Sequence, residues 1–169
     1  KEKTRHEKSY VPDFQIDTDL EIMFPDEYIS NISERIRLYK ELNEIESDEA
    51  LLLFEKKLID RFGKTPSPAE ALLDIVRIKW KAVKLGIEKI FLKNNLLIAY
   101  FVSDQNSQFY RSELFVSIMN YVNRKHKQMY MKQKAAKLSL TVNEVKSVKT
   151  AIRVLNEILE SHQVGPPAP

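Results

Sequence analysis

Apolar residues along the chain recur first at intervals of about two, then of three and four, and then of two again, and that order predicts the elements. Ile16, Leu20 and Ile22 are interleaved with Asp17, Asp19 and Glu21, the pattern of a short strand with one wet face, and Phe24-Pro25 ends it. Asn31 with Glu34 makes a capping-box pattern ahead of Ile32, Ile36, Tyr39 and Leu42, so a first helix is expected from about residue 31 to about 45 with these four on one stripe. Ser47 caps a second helix, with Asp48 and Glu49 in the first turn where the helix dipole favours acids. It carries Leu51, Leu52, Phe54, Leu58, Ile59 and Phe62. Gly63, able to take the left-handed conformation, closes it, and Pro66 cannot continue it. Ser67, Pro68 and Glu70 then read as N-cap, N1 and N3 of a third helix, from about 68 to about 85. Its apolar residues Leu72, Leu73, Ile75, Val76, Ile78, Trp80 and Val83 cover more than one face, as in a buried central helix.

After Gly86 the period changes. Ile87 to Lys93 and Leu96 to Val102 are β-rich runs separated by Asn94-Asn95, residues that tolerate the positive φ angles of a tight hairpin. Ser103 to Ser107 reads as loop, and Tyr110, Leu114, Ile118 and Tyr121, with Phe115, Met119 and Val122, draw a helical stripe to about Arg124. Met129, Met131, Leu138, Leu140 and Val142 alternate with polar residues about a turn near Lys134-Ala135-Ala136, a second hairpin. Val145, Val148, Ile152, Leu155 and Leu159 make the narrow seam of a last helix that shows Lys146, Lys149 and Arg153 to water. The expected class is α+β: a mixed, mostly antiparallel sheet of about five strands, one N-terminal strand and two hairpins, packed with about five helices. Residues 1–12 read as a linker, 13–160 as one domain and 161–169, ending Gly165-Pro166-Pro167-Ala168-Pro169, as a disordered tail.

Composition removes several kinds of chemistry. The 169 residues contain no cysteine, which excludes disulfides, thiolate catalysis and cysteine-ligated metals. Three glycines, at 63, 86 and 165, cannot build a Walker A loop or a dinucleotide fingerprint, since both need clustered glycines to bring backbone amides onto phosphates. His6, His126 and His162 have no second ligand at metal spacing, so no metal site is expected. Acids cluster at Asp17 with Asp19, Asp26 with Glu27 and Asp48 with Glu49, the first pair explained by a strand's wet side and the last by helix initiation; no catalytic residue is assigned. No apolar run reaches the roughly 20 residues of a membrane span, and the basic start is not followed by a signal-peptide core, so a cytoplasmic protein is expected.

Charge narrows the candidates to two surfaces. The net +3 hides a division: residues 13–60 hold 14 acids and 5 bases, and residues 61–169 hold 18 bases and 8 acids. Lys57, Asp60 and Arg61, at i, i+3 and i+4, put a charged patch at the end of the second helix, while Phe54, Leu58 and Phe62 turn inward. That corner is a candidate for docking a protein partner. Arg124, Lys125, Lys127, Tyr130 and Lys132, with Lys134 and Lys137 beyond, combine cations with an aromatic ring as a nucleic-acid platform would. The competing account of the same residues is an edge hairpin protected by lysines against aggregation.

Leu58-Ile59-Asp60-Arg61-Phe62-Gly63, then Pro66, Pro68 and Ala69, then Leu72-Leu73-Asp74-Ile75 and Lys84-Leu85-Gly86-Ile87 resemble the C-terminal domain of bacterial transcription-repair coupling factor, TRCF. Pro25-Asp26-Glu27-Tyr28-Ile29 and Arg35-Ile36-Arg37-Leu38-Tyr39-Lys40 resemble that family too, so the likeness runs from about Ile16 to Phe91. It implies a parent that is an ATP-driven, magnesium-dependent double-stranded DNA translocase, which displaces stalled RNA polymerase and recruits the excision-repair protein UvrA. This chain would then need no cofactor, no membrane and no small-molecule substrate. It would act as a non-catalytic autoinhibitory domain that docks on the repair-recruiting N-terminal module and masks its UvrA-binding surface. The resemblance places the docking contacts on Asp60 and Arg61. It departs at position 57, where the family can carry an acid and this chain has Lys57.

Overall fold

A computed structural model describes residues 9–164; residues 1–8 of the expected linker and 165–169 of the expected tail lie outside it, while 161–164, also expected in the tail, continue the last helix. The elements in order are β1 (Gln15–Thr18), α1 (Ile32–Asn43), α2 (Asp48–Phe62), α3 (Ser67–Lys84), β2 (Ile87–Lys93), β3 (Leu96–Phe101), a 3-10 turn (Gln108–Arg111), α4 (Glu113–Arg124), β4 (Met129–Lys134), β5 (Lys137–Val142) and α5 (Val148–Val164). The class is α+β, as the periodicity predicts. Two compact units form, one from Leu20 to Ile78 and the other from the residues up to Asp19 together with those from Lys79 onward.

The second of these units is built on a five-stranded sheet in the order β1-β2-β3-β5-β4. β1 runs parallel to β2 and every other pair is antiparallel. Asn94 and Asn95, at φ 54° and 60°, make the tight turn of the first hairpin, and Ala135 at φ 54° helps turn the second. β1 is shorter than the alternation of Ile16, Leu20 and Ile22 suggests. Its register pairs Thr18 with Leu92, and β2 ends one residue later at Lys93, so nothing remains for residues past Asp19 to pair with.

Strand register sorts the sheet into two faces. Ile16, Ile90, Ala99, Leu140 and Met131 lie in one cross-strand row and Thr18, Leu92, Leu97, Val142 and Met129 in the next. Most of these side chains are buried and form the core face. Gln15, Lys89, Tyr100, Ser139 and Lys132, then Asp17, Phe91, Ile98, Thr141 and Tyr130, are the corresponding rows of the opposite face. The core continues into a ring cluster around fully buried Phe109, which meets Phe101 at 5.8 Å, Phe115 at 5.4 Å and Tyr10 at 5.6 Å between centroids. Residues 9–12 of the expected linker thus include a packed ring at Tyr10, and Val11 is buried beside it in sequence.

The helices start where the caps predict, with two changes. Ser47 accepts from the Ala50 amide at 3.2 Å, and Ser112 caps α4 by accepting from Phe115, so the stripe predicted from Tyr110 is split into a 3-10 turn and a helix. α3 opens one residue earlier than its serine suggests: the Pro66 carbonyl accepts from the amides of Ala69 and Glu70, which places Pro66 at the cap and Ser67 inside the helix. In α1 the buried residues are Leu38 and Leu42, whereas Ile32 is 64% exposed and Ile36 51%. The first half of the predicted stripe is therefore turned outward, while its second half, Tyr39 and Leu42, faces inward. In α5 the buried seam is Val148, Ala151, Val154, Leu155 and Ile158, broader than the predicted one, with Lys146, Lys149 and Arg153 exposed. α3 is the most fully covered helix, with only Ser67, Lys79 and Lys84 exposed. No helix among the described residues is long and apolar enough to cross a membrane.

The two glycines that carry positive φ differ in what surrounds them. Gly86, at φ +71°, lies against the Phe109 ring where a Cβ would collide, while Gly63, at φ +86°, faces open space. Gly86→Ala should destabilise the chain by about 3 kcal/mol or more, since backbone strain and overpacking add. Gly63→Ala should cost about 1 to 3 kcal/mol from backbone strain alone. Urea unfolding of the two variants measures the difference, and equal losses would show that the Phe109 contact is not tight.

Candidate functional site

The corner at the end of α2 is assembled from three stretches distant in sequence, all within the unit Leu20–Ile78. Gly63 stops the helix, but not by the left-handed turn its identity suggests: at φ 86° and ψ −168° it takes an extended conformation open essentially to glycine alone. Its amide still closes the last helical bond, to the Ile59 carbonyl at 2.9 Å. The Gly63 carbonyl, which the helix leaves without an internal donor, accepts from the Tyr28 hydroxyl at 2.9 Å. The Tyr28 ring meets Phe62 edge-on at 5.7 Å. Tyr28 itself sits in a turn in which Arg35 donates to Asp26 at 2.6 Å and to the Ile29 carbonyl at 3.0 Å.

α1 supplies the acids that meet the basic members of the corner. Asn31 accepts from the Glu34 amide at 2.9 Å, one half of the capping box. The Glu34 carboxylate is directed instead to Arg61, with Arg37 at 3.4 Å on the same oxygen. Arg61 also lies over the Phe62 ring, 5.0 Å from its centroid. Lys57 donates to both oxygens of Glu41 at 2.8 and 2.9 Å. Two of the three predicted residues, Lys57 and Arg61, therefore tie α2 to α1. Asp60 is exposed and has neither an ion-pair nor a hydrogen-bond partner for its carboxylate among the described residues.

Around Asp60 the outward face of α2 is more apolar than its sequence suggests. Leu53 is 68% exposed, Leu52 52% and Ile59 44%. With Lys56 and Asp60 they fall at i, i+1, i+4, i+7 and i+8 from Leu52, which is one helical face. The site thus offers an apolar stripe ending in an unpaired carboxylate. Glu34, Glu41 and Tyr28 are members that the sequence does not announce, because their partners lie 16 to 35 residues away.

The second candidate set is divided by the fold. Arg124 and Lys125, at the end of α4, each lie 6.0 Å from the Tyr121 ring centroid, and the Tyr121 hydroxyl donates to Glu157 at 3.2 Å. Lys127 is exposed in the turn that follows. Tyr130 and Lys132 stand on the edge strand β4, on the sheet face opposite Met129 and Met131. Among the described residues no group of three or more His, Asp or Glu is arranged to hold a metal ion.

The sequence profile of the family described as TRCF domain matches residues 18–112, more than half of the chain. A transcription-repair-coupling factor of Staphylococcus epidermidis is 38% identical over 86 residues, 51% of this chain and 7% of that protein. One of Staphylococcus aureus is 37% identical over 90 residues, 53% of this chain and 8% of that protein. The chain therefore matches only a small part of these relatives' length. A crystal structure of the C-terminal domain of transcription-repair coupling factor superposes with a TM-score of 0.69, covering 90% of this chain and 97% of its own at 19% identity, which is a likeness of fold.

Burial, foremost, pushes the Tyr28 hydroxyl above the ordinary tyrosine range; the Thr65 hydroxyl opposes the shift and the Glu55 charge adds to it. Burial leads the same upward shift at Tyr110 and Tyr121. A folded-state value above the unfolded one means that the folded chain holds these protons more tightly. Their contribution is complete below about pH 10 and is lost as pH rises through the raised values. Melting temperature should fall on going from pH 9 to pH 11. Tyr28→Phe should cost about 1 kcal/mol at neutral pH through the lost bond to Gly63 and should soften the alkaline fall. Thermal melts of both proteins across that range provide the check, and a flat alkaline profile in the parent chain would refute the assignment.

Proposed function

The chain belongs to the TRCF domain family, and from that premise we propose that it is the non-catalytic, autoinhibitory C-terminal domain of a transcription-repair coupling factor. In this reading the end of α2 docks on the repair-recruiting N-terminal module of the same polypeptide and masks the surface that takes UvrA. The parent is an ATP-dependent, magnesium-using DNA translocase of the bacterial cytoplasm that displaces stalled RNA polymerase, and its motor lies outside this chain. The observation that supports the reading most directly is the combination at the α2 corner: an exposed apolar stripe, an unpartnered Asp60 and a helix end held by Tyr28 and Glu34. Apolar area supplies affinity on docking and a desolvated charge supplies specificity, so the two together suit a protein partner better than water.

Roles within the corner differ. Lys57 and Arg61 brace α2 against α1 through pairs that are half exposed and worth at most about 1 kcal/mol each. Asp60 and Leu53 are free to meet the partner. Lys57, which stands where the family can carry an acid, has its charge met by Glu41, which leaves Asp60 and Lys56 as the charges on the exposed face of α2.

Removing this domain from the full-length factor should raise its basal ATPase rate and its affinity for UvrA. Asp60→Ala with Leu53→Ala should weaken docking of the 169-residue chain on the repair-recruiting module by about tenfold or more, with little change in melting temperature. Arg61→Ala should weaken docking less and lower stability slightly. Calorimetric titration against the isolated module measures the binding; docking indifferent to Asp60 and Leu53 would remove this surface from the clamp.

A further inference from the structure

We propose that the sheet face opposite the core is a binding surface for single-stranded nucleic acid, distinct from the α2 corner. It combines the rows Lys89, Tyr100, Ser139, Lys132 and Phe91, Ile98, Thr141, Tyr130, drawn from four strands. β5 contributes small side chains to the middle of both rows, Ser139 and Thr141, and both are buried by their larger neighbours. A trough of about 470 Å³ results, with Ile98 and Tyr100 of β3 on one flank and Tyr130 and Lys132 of β4 on the other. Tyr130 is 48% exposed. Tyr100 and Tyr130 are two strands apart and offset by two residues, about 12 Å by ordinary sheet geometry, far enough for each ring to take its own base.

The charge on this face is one-sided. Lys132, Lys134 and Lys137 are exposed, Lys89 is half-buried, and none of the four has a carboxylate partner among the described residues. Two acids adjoin the face. Asp17 is neutralised by Lys93 at 2.8 Å, and Glu88, the extra residue of the β2 bulge, lines the end of the trough near Tyr110. Lysines without partners around a trough flanked by aromatic rings fit a strand of unpaired bases, whose phosphates meet the cations while the bases stack. A duplex would use the lysines alone, because its bases are already stacked. An acidic peptide would answer the charge but leave the rings without flat partners. The lysines also protect the β4 edge from aggregation, which accounts for Lys132 and Lys134 but not for Lys89, on the interior strand β2 three strands from that edge, nor for Tyr100.

The test is a fluorescence-anisotropy titration of the 169-residue chain with labelled oligothymidylate, a DNA duplex and polyglutamate of matched charge, at low and at moderate salt. Oligothymidylate is expected to bind tightest, with affinity falling as salt rises. Tyr130→Ala and Lys132→Glu, both at exposed positions, should each weaken it about tenfold while leaving the melting temperature unchanged. Asp60→Ala should leave it unaltered, which separates this surface from the docking corner. Polyglutamate or duplex binding as tightly as the oligonucleotide, a Tyr130→Ala protein that binds normally, or no binding at low salt would each overturn the proposal.

Discussion

The last turn of a helix is its weakest, because its final carbonyls have no internal donors and fray unless something outside the helix satisfies them. At the end of α2 that something is Tyr28, whose hydroxyl holds the Gly63 carbonyl while its ring packs on Phe62. Glu34 adds a second hold through Arg61, which is kept in place by the Phe62 ring beneath it. A chain that leaves this point in the glycine-only conformation is thereby anchored on both sides of the bend. Asp60 and the Leu52, Leu53 and Ile59 stripe consequently stand on a support that does not need to be ordered when a partner arrives. In the proposed docking, less entropy would be lost and more of the contact energy would appear as affinity.

Charge follows the two units. Leu20–Ile78 carries 13 acids and 8 bases, and the rest of the chain 11 acids and 19 bases. The acidic unit holds the corner proposed for docking, and the basic one holds the sheet face opposite the core. The two units thus differ in charge, and each presents a surface of its own chemistry. The sheet serves both purposes at once: its period of two gives the apolar residues to the core and the lysines and tyrosines to the outside.

Much of the architecture is legible locally. The two hairpins begin and end within about a residue of the expected places, because Asn94-Asn95 can take positive φ and alternation flips with every residue. Helix starts at Ser47 and Asn31 follow from side-chain oxygens that bond amides three residues away. Errors arise where local signals compete. Pro66 rather than Ser67 stands at the cap of α3, its carbonyl accepting from the amides of Ala69 and Glu70. Of the predicted stripe of α1, Leu42 is buried and Tyr39 half-buried, but Ile32 and Ile36 face outward and Leu38 is buried in their stead, because a period cannot say which side of a helix meets a neighbour.

Residue order alone determined the element types, most of the caps, the absence of cysteine and of a glycine-rich phosphate motif, and the family resemblance, since each depends on composition or on neighbours within a few positions. It also named Lys57, Asp60 and Arg61. Only the tertiary structure decided that two of them are bound to α1 and one is left free, because ion pairs form between groups close in space whatever their separation in the chain. The same holds for the sheet face: Lys89, Tyr100 and Tyr130 become neighbours through strand order and register, which depend on how distant segments pair.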